Sequence, residues 1–188
     1  MTPEQLIVLK AAILAETDPV FVAARSTRND MAIAAFYNQP SNPAFYVWKS
    51  SVPTDDIFDA INWALLTPAD VPSAADSVQL IETQINRGLV CQSKQINLQI
   101  LLQGRTQINA TKLRVRQALT DSLQGIPSGA SGAAQDAGWA QVKATMYRQV
   151  TRGERLFAAG TGTTGVPGRA EWEGDISADE VSAVLNEA

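Results

Sequence analysis

The stretch TRGERLFAAGTGTTGVPGRAEWEGDIS, residues 151–177, decides the architecture. Within it GTGTTG (160–165) has the spacing G-x-G-x-x-G. Between a strand and a helix, that spacing cradles the pyrophosphate of a dinucleotide on backbone N–H groups and the positive end of the helix. Here the order is reversed. Before the glycines, Trp139, Val142, Met146, Val150 and Phe157 step 3, 4, 4 and 7 residues apart and predict one helix over 134–159. After them come Val-Pro-Gly and RAEWEG, where Ala170 and Trp172 alternate with Arg169, Glu171 and Glu173 as in a short strand.

Pro167 removes a backbone donor just beyond the loop. No acidic residue ends a strand about 20 positions on, as ribose binding requires. GTGTTG is therefore expected to be a joint, with Gly160 as the residue after the helix end and Gly162, Gly165, Pro167 and Gly168 completing a hinge. The predicted organisation is a helical body over 1–159, a hinge over 160–168 and a C-terminal arm over 169–188. The arm's strand has no hairpin turn leading to a sequence-local partner, and two partners are open to it. One is the edge of a neighbouring subunit or another protein; the other is FYVW (45–48) within the chain.

Charge supports an arm. The net charge is −4, but from Arg169 onward six acids stand against one base, a balance of −5, leaving +1 for the rest. On the predicted long helix Arg148, Arg152 and Arg155 fall three and four residues apart and share one face, placed to receive acidic groups or to complement the helix C-terminus. KLRVR (112–116) reads as a solvated helix face. An isoelectric point near 4.8 argues against a dedicated DNA binder.

The chain has no histidine and one cysteine. This excludes Ser-His-Asp and Cys-His catalytic arrangements, most zinc sites and any internal disulfide. Cys91, in GLVCQSK, reads as a buried helix-face thiol. Asp55, Asp56 and Asp59 are the nearest carboxylate group, and their place at a helix start explains them. No catalytic, metal or cofactor-binding residue is nominated, and the chain is expected not to be an enzyme. Apolar residues make up 45% and charged residues 18%, a foldable composition. No apolar run reaches the roughly 20 residues of a membrane span, and the N-terminus lacks a signal-peptide pattern, so a soluble, unsecreted chain without a membrane partner is expected.

The remaining elements are helical. Thr2, Pro3 and Gln5 form a capping box with proline at the first position, and Leu6, Leu9, Ile13 and Leu14 follow helical spacing. Asp18-Pro19 starts a second helix, Thr27 to Asp30 can cap MAIAAFY, and Thr54 can cap a helix carrying Ile57, Phe58 and Ile61. TPADVPSAAD (67–76) reads as a loop. A long helix is expected from Ser77 to Leu102, with Val78, Ile81, Ile85, Leu89, Ile96 and Ile100 in rhythm. Asn109 can cap another helix, GIPSGASGAA (125–134) reads as a flexible connector, and Ser177 with Glu180 forms a capping box for a last helix carrying Val181, Val184 and Leu185. The fold class is mainly α: a helical bundle with a flexible C-terminal arm of short strand plus short helix.

Two stretches together, NDMAIAAFYNQPSNPAFYVWKSSVPTDDIFDAINWA (29–64) and the 151–177 segment, resemble a family of small structural proteins from the head–tail region of tailed bacteriophages. The family pattern pairs an N-x-P-S-P-A-F-x-V-W segment with a T-R-A-E-K-L-F-A-x-G-T-G end and an F-E-G-x-(I/L)-S arm. The resemblance weakens across roughly 65–80 and 125–136. Gly153 stands where alanine is usual and Trp172 where phenylalanine is usual. The resemblance implies a virion component of the neck, a head-to-tail adaptor forming a homo-oligomeric, dodecameric ring on the portal protein. Its partners would be the portal, tail or neck proteins and, without specificity, genomic DNA in the channel. In that setting Trp172 would anchor the arm, Glu171, Glu173 and Asp175 would meet basic partners, and Val181 and Leu185 would supply apolar contact. A tail-completion or decoration protein, or a non-virion assembly chaperone, is the alternative.

Overall fold

The computed structural model describes residues 1–66, 77–128 and 133–186. The loop expected over 67–76 lies outside them, as do 129–132 of the expected connector and Glu187. The chain opens with α1 (Pro3–Ala15), α2 (Pro19–Ser26), α3 (Asp30–Tyr37) and β1 (Tyr46–Trp48). It continues through β2 (Val52–Pro53), α4 (Thr54–Ala60), α5 (Trp63–Leu66), α6 (Ser77–Leu102), β3 (Gln107–Ile108) and α7 (Leu113–Leu123). Then come β4 (Gln124–Ser128), β5 (Ala133–Asp136) and α8 (Trp139–Thr145). It closes with β6 (Tyr147–Gln149), α9 (Arg152–Arg155), β7 (Ala158–Ala159), β8 (Arg169–Ala170) and α10 (Ala178–Asn186). The described chain is mainly helical.

Two compact units emerge: Met1–Trp48 with Tyr147–Ala188, and Lys49–Met146. This differs from the expected division into 1–159, 160–168 and 169–188. The C-terminal residues belong to the same unit as the N-terminal helices, and the middle of the chain forms a unit of its own.

In the first unit the capping chemistry read from sequence operates as expected. Thr2 and Gln5 exchange side-chain-to-backbone bonds at the start of α1, and Asp18 accepts from the Val20 and Phe21 amides at the start of α2. Leu9, Ile13, Phe21, Ile33 and Tyr37 from α1–α3 form a buried core with Ile176, Val181 and Val184. Phe21 lies 4.7 Å from Phe36 and edge-on to Tyr37 at 5.7 Å. β1 pairs antiparallel with β6, with Tyr46 opposite Gln149, Val47 opposite Arg148 and Trp48 opposite Tyr147.

The single helix expected over 134–159 is replaced by most of β5 followed by α8, β6, α9 and β7. Val142, Met146 and Val150 are all buried, Val142 on α8 and the other two on either side of β6. Buried positions of a short helix and of the residues flanking the next strand happen to recur at helical intervals. The ladder demand of β1 then overrides the local period, because its backbone groups need a partner and β6 provides one.

The second unit is built on α6. Its inner face carries Cys91, Leu98 and Leu102, all buried, against α7 and α5. Lys94 reaches across to the C-terminal end of α7, donating to the carbonyls of Asp121 (2.5 Å) and Gln124 (2.6 Å), where a cation meets the negative end of the dipole. Gln95 donates to Leu66 O at 2.8 Å. Thr54 lies inside α4 instead of capping it; its hydroxyl donates to Arg105 O and Thr106 O. Asn109 closes a local turn onto Thr111 N (2.9 Å), and α7 begins after Lys112. Instead of a free connector, β4 and β5 pair antiparallel across the segment read as flexible.

Candidate functional site

The glycine segment is a seated hairpin loop, not a hinge. β7 pairs with β8, Ala158 opposite Ala170 and Ala159 opposite Arg169, so the nine residues between them close a hairpin. Phe45 explains the glycines. A Cβ on Gly162 would fall 2.2 Å from the Phe45 ring, and one on Gly168 would fall 2.9 Å from the ring and 2.4 Å from Ala159 O. Gly162 also has φ +68°, which favours glycine. Gly168 donates to Tyr46 O at 2.8 Å and accepts from Trp48 N at 3.1 Å, and Tyr46 N donates to Gly162 O at 2.8 Å. Pro167 is buried. Gly160 follows β7 at φ +101° and ends no helix. Gly165 alone meets little, with Thr163 Oγ1 at 3.8 Å from a built Cβ. Of the two pairings left open for the arm's strand, the loop therefore uses β1, through Gly168, together with β7, a local partner the sequence reading did not offer.

The arm residues are distributed between core and solvent. Val181 is fully buried, and Trp172 and Leu185 pack against the core of the first unit. Trp172 meets Phe157 edge-on at 5.8 Å. Asn38 holds the segment by both groups of its amide: Nδ2 donates to Ile176 O (2.9 Å), and Oδ1 accepts from Ile176 N (2.8 Å). The expected Ser177–Glu180 capping box is present, and Met1's ammonium pairs with Glu180 at 3.1 Å. Burial works against the Glu180 charge, but the Ser177 amide and the ammonium hold its pKa below the ordinary value. Glu171 and Asp175 are exposed, and Glu173 lies 3.8 Å from Arg148. An anchor predicted for a partner is thus spent inside the chain.

Nor do the three arginines share a helix face. Arg148 is on β6 and grips Glu154 in a two-bond fork at 2.6 and 2.7 Å. Glu154 is the residue sequence reasoning missed: buried, it also accepts from Thr151 N (3.1 Å) and Gly174 N (3.2 Å). Burial opposes its charge, but the Arg148 bonds and the two amides prevail and lower its pKa; the same bond raises that of Arg148. The T-x-x-E pattern at 151–154 was the available signal, a capping box hidden inside the expected long helix. Arg152 stacks on Phe36 with 4.0 Å to the ring centroid, and Arg155 donates to Pro43 O at 2.5 Å.

The surface with the strongest claim to function is on α6. Val78, Ile81, Ile85, Leu89, Ile96 and Ile100 each leave 46% to 68% of their surface in solvent. At 3.6 residues per turn they lie on the side of the helix about opposite Cys91, Leu98 and Leu102. The stripe runs about 33 Å at 1.5 Å per residue. Gln92, Gln99 and Gln103 share this side of the helix, Glu82 lies at its edge, and Leu89 and Ile100 border clefts that also hold Lys94, Arg105 and Asp121. Arg87 is buried, and Lys94, bonded to the end of α7, shares a cleft with Leu89. A helix apolar on two opposite sides is built to be covered on both. Exposed large apolar side chains recurring along one side of a helix are the material of interaction surfaces.

No protein-family model, curated protein or solved structure matches this chain.

Proposed function

We propose that this chain is a structural protein of the tailed-phage neck, a head-to-tail adaptor subunit that self-associates into a ring docked on the portal and joins it to the tail. The helices of each unit would supply the bundled body of that subunit. Two things support the reading. One is the resemblance of residues 29–64 and 151–177 to head–tail proteins. The other, which carries it, is the exposed apolar stripe on α6, opposite a face already used within the chain. The stripe takes over the role first given to the arm. The charges bordering it, Glu82 and Asp121 against Lys94 and Arg105, cancel, so copies can approach without net like-charge repulsion, and repetition around a ring multiplies a modest contact into a stable assembly.

Native mass spectrometry with negative-stain imaging, on the chain alone and with portal protein, tests this. A ring, or monomers that assemble only on portal, is expected. The pair Ile85→Glu and Leu89→Glu should abolish assembly while leaving the monomer's stability within about 0.5 kcal/mol, because both side chains are exposed there. A persistent monomer indifferent to portal would refute the adaptor role.

A further inference from the structure

Within the first unit, the C-terminal end of α1, the end of α3, the segment after it and α9 surround a cleft of about 420 Å³, in the size range of small-ligand sites. Two guanidinium groups line it, those of Arg152 and Arg155, with one carboxylate, Glu16. Arg152 is fixed without being satisfied. Its guanidinium is stacked on Phe36 at 4.0 Å, while its Nε is buried without an acceptor. Among the described residues it has no ion pair. Arg155 is held at the cleft by Pro43 O and retains further donors. Glu16 does not supply the missing partner. Its Oε1 is engaged by the Thr17 and Asp18 amides, at 2.9 and 3.1 Å.

Unlike the enclosed Nε, the terminal nitrogens of the Arg152 guanidinium keep accessible surface and make no hydrogen bond or ion pair among the described residues, so they are open to an acceptor in the cleft. We propose that this cleft binds a single carboxylate, presented by an acidic side chain on an extended peptide segment of another protein. Two observations select that chemistry. Among the lining residues two arginines against one glutamate leave one positive charge, which one carboxylate balances. The walls are mixed, apolar at Ala15, Phe36, Pro43 and Leu156 and polar at Tyr37, Ser41 and Asn42, and together they match the apolar side chains and hydrogen-bonding backbone that flank an acidic residue in a peptide. Planar guanidinium groups give such a carboxylate paired, directional bonds. The proposal is independent of the neck assignment.

The test uses the full chain labelled with nitrogen-15, following the Arg152 side-chain Nε–H resonance. The probe is a capped pentapeptide with one central glutamate flanked by leucines; its glutamine analogue, acetate and inorganic phosphate are comparisons. The expected result is a saturable Arg152 shift with the glutamate peptide, binding about tenfold weaker or worse for the glutamine peptide, and weak binding of acetate. Arg152→Lys and Arg155→Lys, folded by circular dichroism, should each weaken the peptide at least about tenfold. Arg114→Gln, which changes net charge on an exposed face of α7, should not. Acetate binding as tightly as the peptide would assign the site to free carboxylates and overturn the peptide. Phosphate binding more tightly would overturn the charge match. No shift at millimolar peptide, measured on the unmodified chain, would overturn the site itself.

Discussion

Adding one methyl group at Gly153 probes how tightly the C-terminal segment is locked into the first unit. The Cβ of an alanine there would fall 2.6 Å from Ile176 Cδ1, 3.2 Å from its Cγ1 and 3.4 Å from Tyr37 O. Cδ1 is the tip of a side chain, but Ile176 is 2% exposed and both backbone groups of that residue are held by Asn38. It has little room to rotate away. Overpacking of this kind costs about 1–3 kcal/mol, and the gain from alanine over glycine in a helix returns only about 0.5–1 kcal/mol. Gly153→Ala should therefore destabilise the first unit by about 0.5–2 kcal/mol. Ile176→Val removes the offending Cδ1 and alone costs about 0.5–1.5 kcal/mol. In the double variant the new methyl occupies the vacated space, so stability should return to within about 0.5 kcal/mol of the parent, a favourable coupling of about 1–2 kcal/mol. Native-state hydrogen exchange of core amides such as Ile33 and Val181 reads this unit separately from the other. Simple additivity of the two changes would refute the packing described at Gly153.

Glu154→Gln should cost the first unit about 1–3 kcal/mol at neutral pH, because Arg148 and two amides lose a charged acceptor. The folded pKa of Glu154 is lower than its ordinary 4.5. Its contribution is therefore complete above that value and fades as pH falls through the folded one, so an acid titration of stability should flatten in the variant. Within the glycine loop the outcomes should diverge. Gly162→Ala drives a methyl into Phe45 at a positive φ and should cost more than about 2 kcal/mol, whereas Gly165→Ala should stay within about 0.5 kcal/mol by thermal melting. Equal effects at the two positions would contradict the seating of the loop on Phe45.

Local chemistry was legible wherever the chain signals itself. The cap at Thr2, the cap at Asp18, the box at Ser177 and Glu180, and the span Ser77–Leu102 stand where spacing placed them. The misreadings share one cause. Periodicity records which residues are apolar, not what covers them. Met146 and Val150 satisfied a helical period while flanking a strand, because β1 needed a ladder partner about 100 positions away in sequence. Phe45 gave no local sign that two glycines distant in sequence would close over it. The rhythm on α6 was visible as a second apolar run, but which of the helix's faces lay inward was fixed only by Cys91, Leu98 and Leu102 meeting α5 and α7.

The pairing of Trp48 with Tyr147 has a consequence for the order in which the molecule forms. These residues are the last and first of the two segments that make up the first unit, and they face each other across one ladder. Bringing them together while the intervening stretch is unfolded closes a loop of about 100 residues, an entropic cost of about 4 kcal/mol. Once the middle unit has folded, that stretch no longer explores the conformations of a free loop. During synthesis the N-terminal helices emerge early but wait for residues 147–186 to complete their core, while the middle unit is already whole. The later-made segment thus finds a shortened search, and destabilising the middle unit should slow completion of the first.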